Sequence, residues 1–428
     1  IAYHIATAIG KKPETLPRIV FHEITKTAIE AALANPRVLD MNSVNAQQAR
    51  RLLDRIVGYK LSPLLNIKIQ RGLSAGRVQS AALKILVDKE REIRDFKPIE
   101  YFSIDTKIKK DLEAELVQFQ GSKIEKLTIT NPQRAEFILN ILKSDKFQIN
   151  EIESKERKTN AQPPFMTSTL QQSASNRLGF SPKKTMMLAQ SLYEGVQTNS
   201  GFMGAITYMR TDSLRISEEA RAAHTEFVKS AYGEKYLPEK TRYFKTRAGA
   251  QDGHEAIRPA NVNLTPAKVK SSLSNDQYKL YNLIWCRYVA SLMAACEQAT
   301  VKIEIKGSKK ENPAEYCMFS ASGYSVKFDG FTVLYEEATD DEEKESVLPE
   351  IKVDDKLKLK ELKGNQHFTQ PPAHFTEASL IKTLEETGVG RPSTYAPTIT
   401  TIIARRYVVR ENKNLYVTEL GEAVNGIM

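Results

Sequence analysis

Ile206-Thr207-Tyr208-Met209-Arg210-Thr211-Asp212-Ser213 sets a tyrosine hydroxyl beside a permanent cation on what reads as a short strand. A strand alternates its side chains between faces, so Tyr208, Arg210 and Asp212 point one way while Met209 and Thr211 point the other. A phenol with a pKa near 10 is only ~0.1% ionised at neutral pH, and a nearby guanidinium both favours the phenolate and holds an anionic substrate. The pairing suits a tyrosine nucleophile attacking a phosphodiester. Taken alone, the octet reads more simply as a cross-strand aromatic with a surface Arg–Asp pair, so the rest of the chain must decide.

The chain has 428 residues, enough for two to four domains with their own cores. Hydrophobic residues make up 41% and charged residues 27%, and no apolar run approaches the ~20 residues of a membrane span, which implies a soluble intracellular protein. An excess of 62 Lys+Arg over 52 Asp+Glu favours a polyanionic partner. Cys286, Cys296 and Cys317 match neither a zinc spacing nor a disulfide framework and read as buried or idle thiols, leaving no metal set. The opening Ile1-Ala2-Tyr3-His4-Ile5-Ala6 has no initiator Met or signal pattern and reads as entering partway along a helix, with sequence missing upstream.

Working outward, residues 1–97 read as helical. Ala49, Leu52, Leu53, Ile56 and Val57 recur at steps of three and four and predict a core stripe, with Arg50, Arg51, Asp54 and Arg55 on the opposite face. In Gly72-Leu73-Ser74-Ala75-Gly76-Arg77-Val78-Gln79-Ser80 a second helix is expected to start, with Ser74 as cap and Arg77 and Gln79 in a first turn suited to a phosphate. Alternation in Tyr101–Ile108, Lys126–Thr130, Ala299–Ile305 and Lys356–Lys360 predicts one β domain interrupted by a helical insertion at about 166–295. Acidic Asp340-Asp341-Glu342-Glu343 reads as an exposed loop.

The chain also repeats itself. A helix from Thr167 to Arg177 stops at Gly179, and Ser181-Pro182 starts another to Tyr193. Thr376 to Thr387 does likewise, with Gly388 and Gly390 as breakers and Pro392-Ser393-Thr394 restarting a helix to Arg406, then a hairpin about Asn412-Lys413-Asn414. Helix-turn-helix followed by a hairpin is the pattern of a winged-helix unit.

Six stretches, in order, resemble the bacterial type IA DNA topoisomerase I family: Val44 to Arg51, Gly72 to Ser80, Thr169-Leu170-Gln171-Gln172, Ile206 to Ser213, His254-Glu255-Ala256-Ile257-Arg258-Pro259, and Gly388 to Tyr395. The resemblance covers nearly the whole chain and makes Tyr208 the nucleophile. It implies a multidomain α+β toroid around a hole for DNA, with a helical base domain, a β arch and winged-helix-like (CAP-like) units. Residues 1–39 would be the tail of the Toprim domain, 40–97 and 366–428 the base, 98–165 and 296–365 the arch, and 166–295 the tyrosine domain. Met209 resembles the supercoil-relaxing branch.

The activity so implied relaxes negatively supercoiled DNA without ATP, through single-strand cleavage, a 5′-phosphotyrosine intermediate, strand passage and religation. Arg210 would stabilise the phenolate and the pentavalent oxygens, Asp212 would orient Arg210, and His254 would contact the phosphate or Asp212. Arg50, Arg51, Arg77 and Arg391 would hold phosphates, Ser74 and Gly76 would form the anion-binding turn, and Asp54, Tyr59 and Gln79 would meet bases or sugar. Hinges would lie near 165 and 295. The family's Mg2+ is held by acidic Toprim residues and its zinc repeats follow the core; neither is present here, so this chain alone is expected not to complete relaxation. A cytoplasmic, nucleoid-associated monomer acting on single-stranded and negatively supercoiled DNA, with no membrane, is the implied setting. Two departures are that Asn66 stands where relatives often carry a stacking Trp, and Gly253 where Ala is more usual.

Two rival readings remain at this stage. A noncatalytic winged-helix DNA-binding scaffold would leave Tyr208 merely packed. A tyrosine recombinase would surround its nucleophile with an Arg-His-Arg set and leave a 3′ phosphotyrosine.

Overall fold

The computed structural model describes every residue except 1, 22–25, 109–111, 144–145, 199–200, 246–253, 309–315, 335–350 and 354. The acidic run 340–343 therefore lies outside the described residues. The chain forms two compact units: Ile1–Arg94 with Gln162–Met293 and Ala373–Met428, and Asp95–Ala161 with Ala294–Pro372.

The second unit is built on an antiparallel sheet in the order Leu359–Phe368, Glu100–Ile108, Leu112–Phe119, Tyr316–Phe328, Cys296–Ser308, Lys146–Thr159 and Lys356–Leu357. Its apolar face buries Ile104, Ile108, Leu116, Phe119, Phe147, Ile149, Ile305 and Phe319. The helix Pro132–Leu142 contributes Ile138 and Leu142 to the same core. Asn131 caps that helix by accepting from Arg134 N at 2.8 Å, and Pro132 follows at its first position. Alternation elsewhere in the segment masked this helix. Lys126–Thr130 is a turn, not a strand, because Thr128 Oγ1 accepts from Glu125 N at 2.8 Å and closes the chain on itself.

In the first unit the two repeated helix pairs form where the caps predict. Thr167–Leu178 ends at Gly179, whose φ of 67° is the left-handed conformation that glycine adopts without strain. Ser181 accepts from Lys184 N at the start of Pro182–Glu194. The second pair is Glu377–Glu386 and Tyr395–Ala404, followed by the hairpin Val408–Glu411 and Asn414–Val417. Thr167–Leu178 packs on Glu377–Glu386, and Pro182–Glu194 on Tyr395–Ala404. Leu380, Ile381, Ile399, Ile402 and Tyr407 share a core with Leu65, Leu73, Leu83 and Leu86. That core fixes the helices Met41–Lys68 and Arg77–Asp95.

The expected core stripe on Met41–Lys68 is not a core. Leu52, Leu53 and Ile56 are exposed, no described residue covers them, and within the helix only Leu65 is fully buried. Helical periodicity marks a face that can be buried, not the partner that buries it. Among the described residues no helix is long and apolar enough to cross a membrane. Cys296 and Cys317 are buried and Cys286 is half-buried, all as free thiols.

One buried titratable group ties stability to pH. His224 is 1% exposed, its Nε2 lies 2.8 Å from the Val289 carbonyl, and burial lowers its pKa from 6.5 to about 4. The folded value lies below the unfolded one, so the contribution is complete above pH 6.5 and drains away as pH falls towards 4, about 3 kcal/mol in all. Urea midpoints should fall between pH 7 and 4.5, and His224→Gln, which keeps a donor without titrating, should flatten that fall.

Candidate active site

Tyr208 lies on an irregular segment, not on a strand. Ile206 makes one isolated bridge to Pro259, and beyond it the backbone bonds of the octet go to two different partners. On one side Thr207 N donates to Arg258 O at 2.9 Å, while the Thr207 hydroxyl donates to Ala256 O at 2.7 Å and accepts from Arg258 N at 3.0 Å. On the other, Thr167 Oγ1 donates to Met209 O at 2.7 Å and accepts from Thr211 N at 2.9 Å. Tyr208 is thus suspended between two threonine clasps. The expected facing survives without the strand: Met209 and Thr211 are buried, whereas Tyr208 and Asp212 are half-buried and Arg210 is exposed.

The Tyr208 ring lies 4.7 Å from the exposed His254 ring and 5.3 Å, edge-on, from Tyr193. All three line a cavity of about 650 Å³ shared with Phe21, Ala223, Asn261 and Tyr288. Beneath it runs a buried ion pair in which Glu255 Oε2 accepts from Arg258 Nη2 at 2.8 Å and Glu255 Oε1 accepts from Ser217 N at 2.7 Å. Arg258 Nη1 also donates to Pro259 O at 3.0 Å. The pair therefore stiffens the 254–260 segment onto which Thr207 is clasped. Sequence reasoning quoted that motif but singled out only His254; a Glu and an Arg three residues apart beside it were the available signal. Phe21 and Tyr193 carried none.

A second group forms around Met41–Lys68. Arg50, Arg51, Asp54, Arg55 and Tyr59 line a cavity of about 800 Å³ along one side of this helix. Arg77 Nε donates to Asp54 Oδ1 at 2.6 Å, and Arg50 lies 4.0 Å from the same carboxylate. The hydrogen bond from Arg77 holds the Asp54 carboxyl below its ordinary value and raises the Arg77 guanidinium correspondingly.

The expected capping by Ser74 is corrected. The helix begins at Arg77, and Gly76 O accepts its first bond from Ser80 N at 2.7 Å. Ser74 lies outside the helix because Tyr407 Oη accepts from Ser74 N at 2.9 Å and donates to Ser74 O at 2.8 Å. Gln79 does stand in the first turn, but its amide donates back to Ser74 O at 2.9 Å. Arg391 is exposed and its backbone N donates to Thr394 Oγ1 at 2.8 Å. Gly390 beside it has a φ of 85°, and a Cβ there would lie 3.3 Å from Val78, so Arg391 stands close to the start of the Arg77 helix. The two cavities share no lining residue.

Asn66 is a brace, where sequence reasoning saw only a lost stacking surface. Its Oδ1 accepts from Gly72 N at 2.6 Å and Leu73 N at 3.2 Å, and its Nδ2 donates to Leu73 O at 2.9 Å. Asn66→Leu should cost about 1–3 kcal/mol by orphaning these groups. Urea denaturation would measure it. Among the described residues no group of three or more His, Cys, Asp or Glu side chains could hold a metal ion, so these residues do not fit a metal centre.

Residues 38–428 match the family model described as DNA topoisomerase. The chain belongs to that family. It is 55% identical over its whole length to DNA topoisomerase 1 of Campylobacter jejuni and 48% identical over 98% of its length to that of Helicobacter pylori. Full-length topoisomerase I from Thermotoga maritima matches the whole chain with a TM-score of 0.81 at 37% identity, which makes the mixed α/β architecture that of a bacterial topoisomerase I. The chain spans 60% and 56% of the two curated relatives' lengths and 67% of the Thermotoga chain.

Proposed function

We propose that this chain is the strand-cleaving portion of a type IA DNA topoisomerase that relaxes negatively supercoiled DNA. The observation that carries this is Tyr208, half-buried and clasped at both flanks, walling an open cavity beside His254 with Arg210 exposed two residues on. A scaffold that merely packed this tyrosine would have no use for such an opening.

The chemistry is a transesterification. Tyr208 Oη attacks phosphorus, the bond to the 3′ oxygen breaks, and the phenolic proton ends on that oxygen, leaving a 5′-phosphotyrosine and a 3′ hydroxyl. One phosphodiester replaces another, so resealing needs no ATP. Arg210 opposes the charge that develops on the phosphoryl oxygens, an effect of roughly 10²–10³ in rate. Asp212 orients Arg210, and His254 contacts the phosphate or Asp212.

Arg50, Arg51, Arg77 and Arg391 hold phosphates of the uncut side, with Asp54, Tyr59 and Gln79 beside the bases or sugars and Ser74 and Gly76 shaping the turn between them. Four such contacts to a single strand give a slope of about −3 for log affinity against log salt, and Arg51→Ala should lower it by about 0.7. Oligonucleotide titrations between 50 and 200 mM salt measure this.

In this reading residues 1–39 are the Toprim tail, 40–97 and 366–428 the base, 98–165 and 296–365 the arch and 166–295 the tyrosine domain, which swings on hinges near 165 and 295. The complete protein works as a Mg2+-dependent monomer on single-stranded and negatively supercoiled DNA at the nucleoid. The test is to denature the complete protein during reaction with a labelled oligonucleotide and map the adduct. A 5′-phosphate ester on Tyr208 is expected; a 3′-phosphate linkage or another residue overturns the assignment.

A further inference from the structure

The cavity beside Tyr208 has a composition that its role as a nucleophile does not explain. Its walls are aromatic and small: Phe21, 39% exposed, Tyr193 and Tyr288 line it together with Ala220, Ala223 and Val262. At about 650 Å³ it falls within the roughly 300–1,000 Å³ of pockets that enclose a small organic group.

Its charges favour the phosphate at the rim, where His254 and Arg210 are exposed, over the interior. Among the described residues Arg258 is the only Lys or Arg lining it, and it is committed through Nη2 to Glu255 and through Nη1 to Pro259 O, with its Nε sealed from solvent. Glu219 adds a second carboxylate to the lining. An uncharged planar group with edge acceptors fits instead. Asn261 Oδ1 is occupied by Asn263 N at 2.9 Å, which leaves its amide nitrogen as a donor that every nucleobase can meet.

Chain connectivity says which base. Once Tyr208 carries the 5′ phosphate, the nucleotide on that phosphate is tethered to the cavity wall, and no other nucleotide is held so near. We propose that this cavity is a nucleobase subsite for the nucleotide immediately 3′ to the break, resting on the function proposed above. Apart from Phe21 its walls lie in the 166–295 segment that carries Tyr208, so the cut end stays gripped by stacking as well as by the ester when that segment moves. Sequence-tolerant stacking also suits an enzyme that must hold whichever base falls at that position.

The test uses the complete protein with magnesium and oligonucleotides carrying a tetrahydrofuran abasic analogue at one position at a time around a mapped break. Trapped adduct at subsaturating protein should fall about tenfold when the analogue stands immediately 3′ to the break, and little when it stands two or three nucleotides further on. Ala223→Phe, which fills the cavity from Glu218–Ala231 and leaves Tyr208 itself unchanged, should lower adduct to the same level and abolish the dependence on that base. Wild-type adduct on Tyr208 that is indifferent to the abasic position overturns the subsite and leaves the proposed function standing. Failure of every oligonucleotide to form an adduct on Tyr208 overturns both. The abasic scan needs no variant, so misfolding of Ala223→Phe does not shelter the idea.

Discussion

Tyr208→Phe is expected to bind single-stranded DNA normally and to leave it uncut. The substitution removes one oxygen and keeps the ring, so the edge contact with Tyr193 and the contact with His254 persist. The clasps at Thr207 and Thr167 bind backbone and are indifferent to the phenol. With the attacking atom gone, relaxation by the complete protein should fall on the order of 10⁴-fold or more, as when other covalent nucleophiles are deleted. Gel shift and plasmid relaxation on one preparation separate the two effects. Equal relaxation by both proteins would end the enzymatic reading.

The second large effect is structural. Arg258 and Glu255 have side chains 10% and 8% exposed, and Arg258→Leu strands a buried carboxylate. Breaking such a pair from one side costs about 3–5 kcal/mol. Replacing both residues by leucine should recover part of that, because the charge is gone but Ser217 N still loses its acceptor. Trp285 is the single tryptophan, and its Nε1 donates to Val262 O at 2.9 Å in the cavity wall. Its fluorescence in urea therefore reads the region directly. Because Arg258 and Glu255 also anchor the segment to which Thr207 is clasped, adduct formation should fall in Arg258→Leu and stay low in the double variant even where stability recovers.

Local chemistry was legible in the sequence and distant partners were not. The turn at Gly179-Phe180-Ser181-Pro182 was readable because a left-handed glycine, a capping serine and a proline act within four residues. The burial alternation through Tyr208-Met209-Arg210-Thr211 was readable for the same reason. That the octet is no strand was hidden, since its hydrogen bonds run to Thr167 and to residues 256–258. Ser74 was misread because its partner is Tyr407, and Leu52, Leu53 and Ile56 because a periodic stripe does not name what covers it. The pairing of Asp54 with Arg77 brings two candidate DNA contacts together from 23 residues apart, a distance no local pattern spans.

The link between Tyr407 and Ser74 closes a loop of 333 residues. While the polypeptide is being made, Asn66 can brace Gly72 and Leu73 at once, but Ser74 waits for Tyr407, so the Gly72–Gly76 turn is completed only after the intervening chain has emerged. A premature stop before Tyr407 would release a chain able to complete its β sheet while Ser74 stays without its clasp.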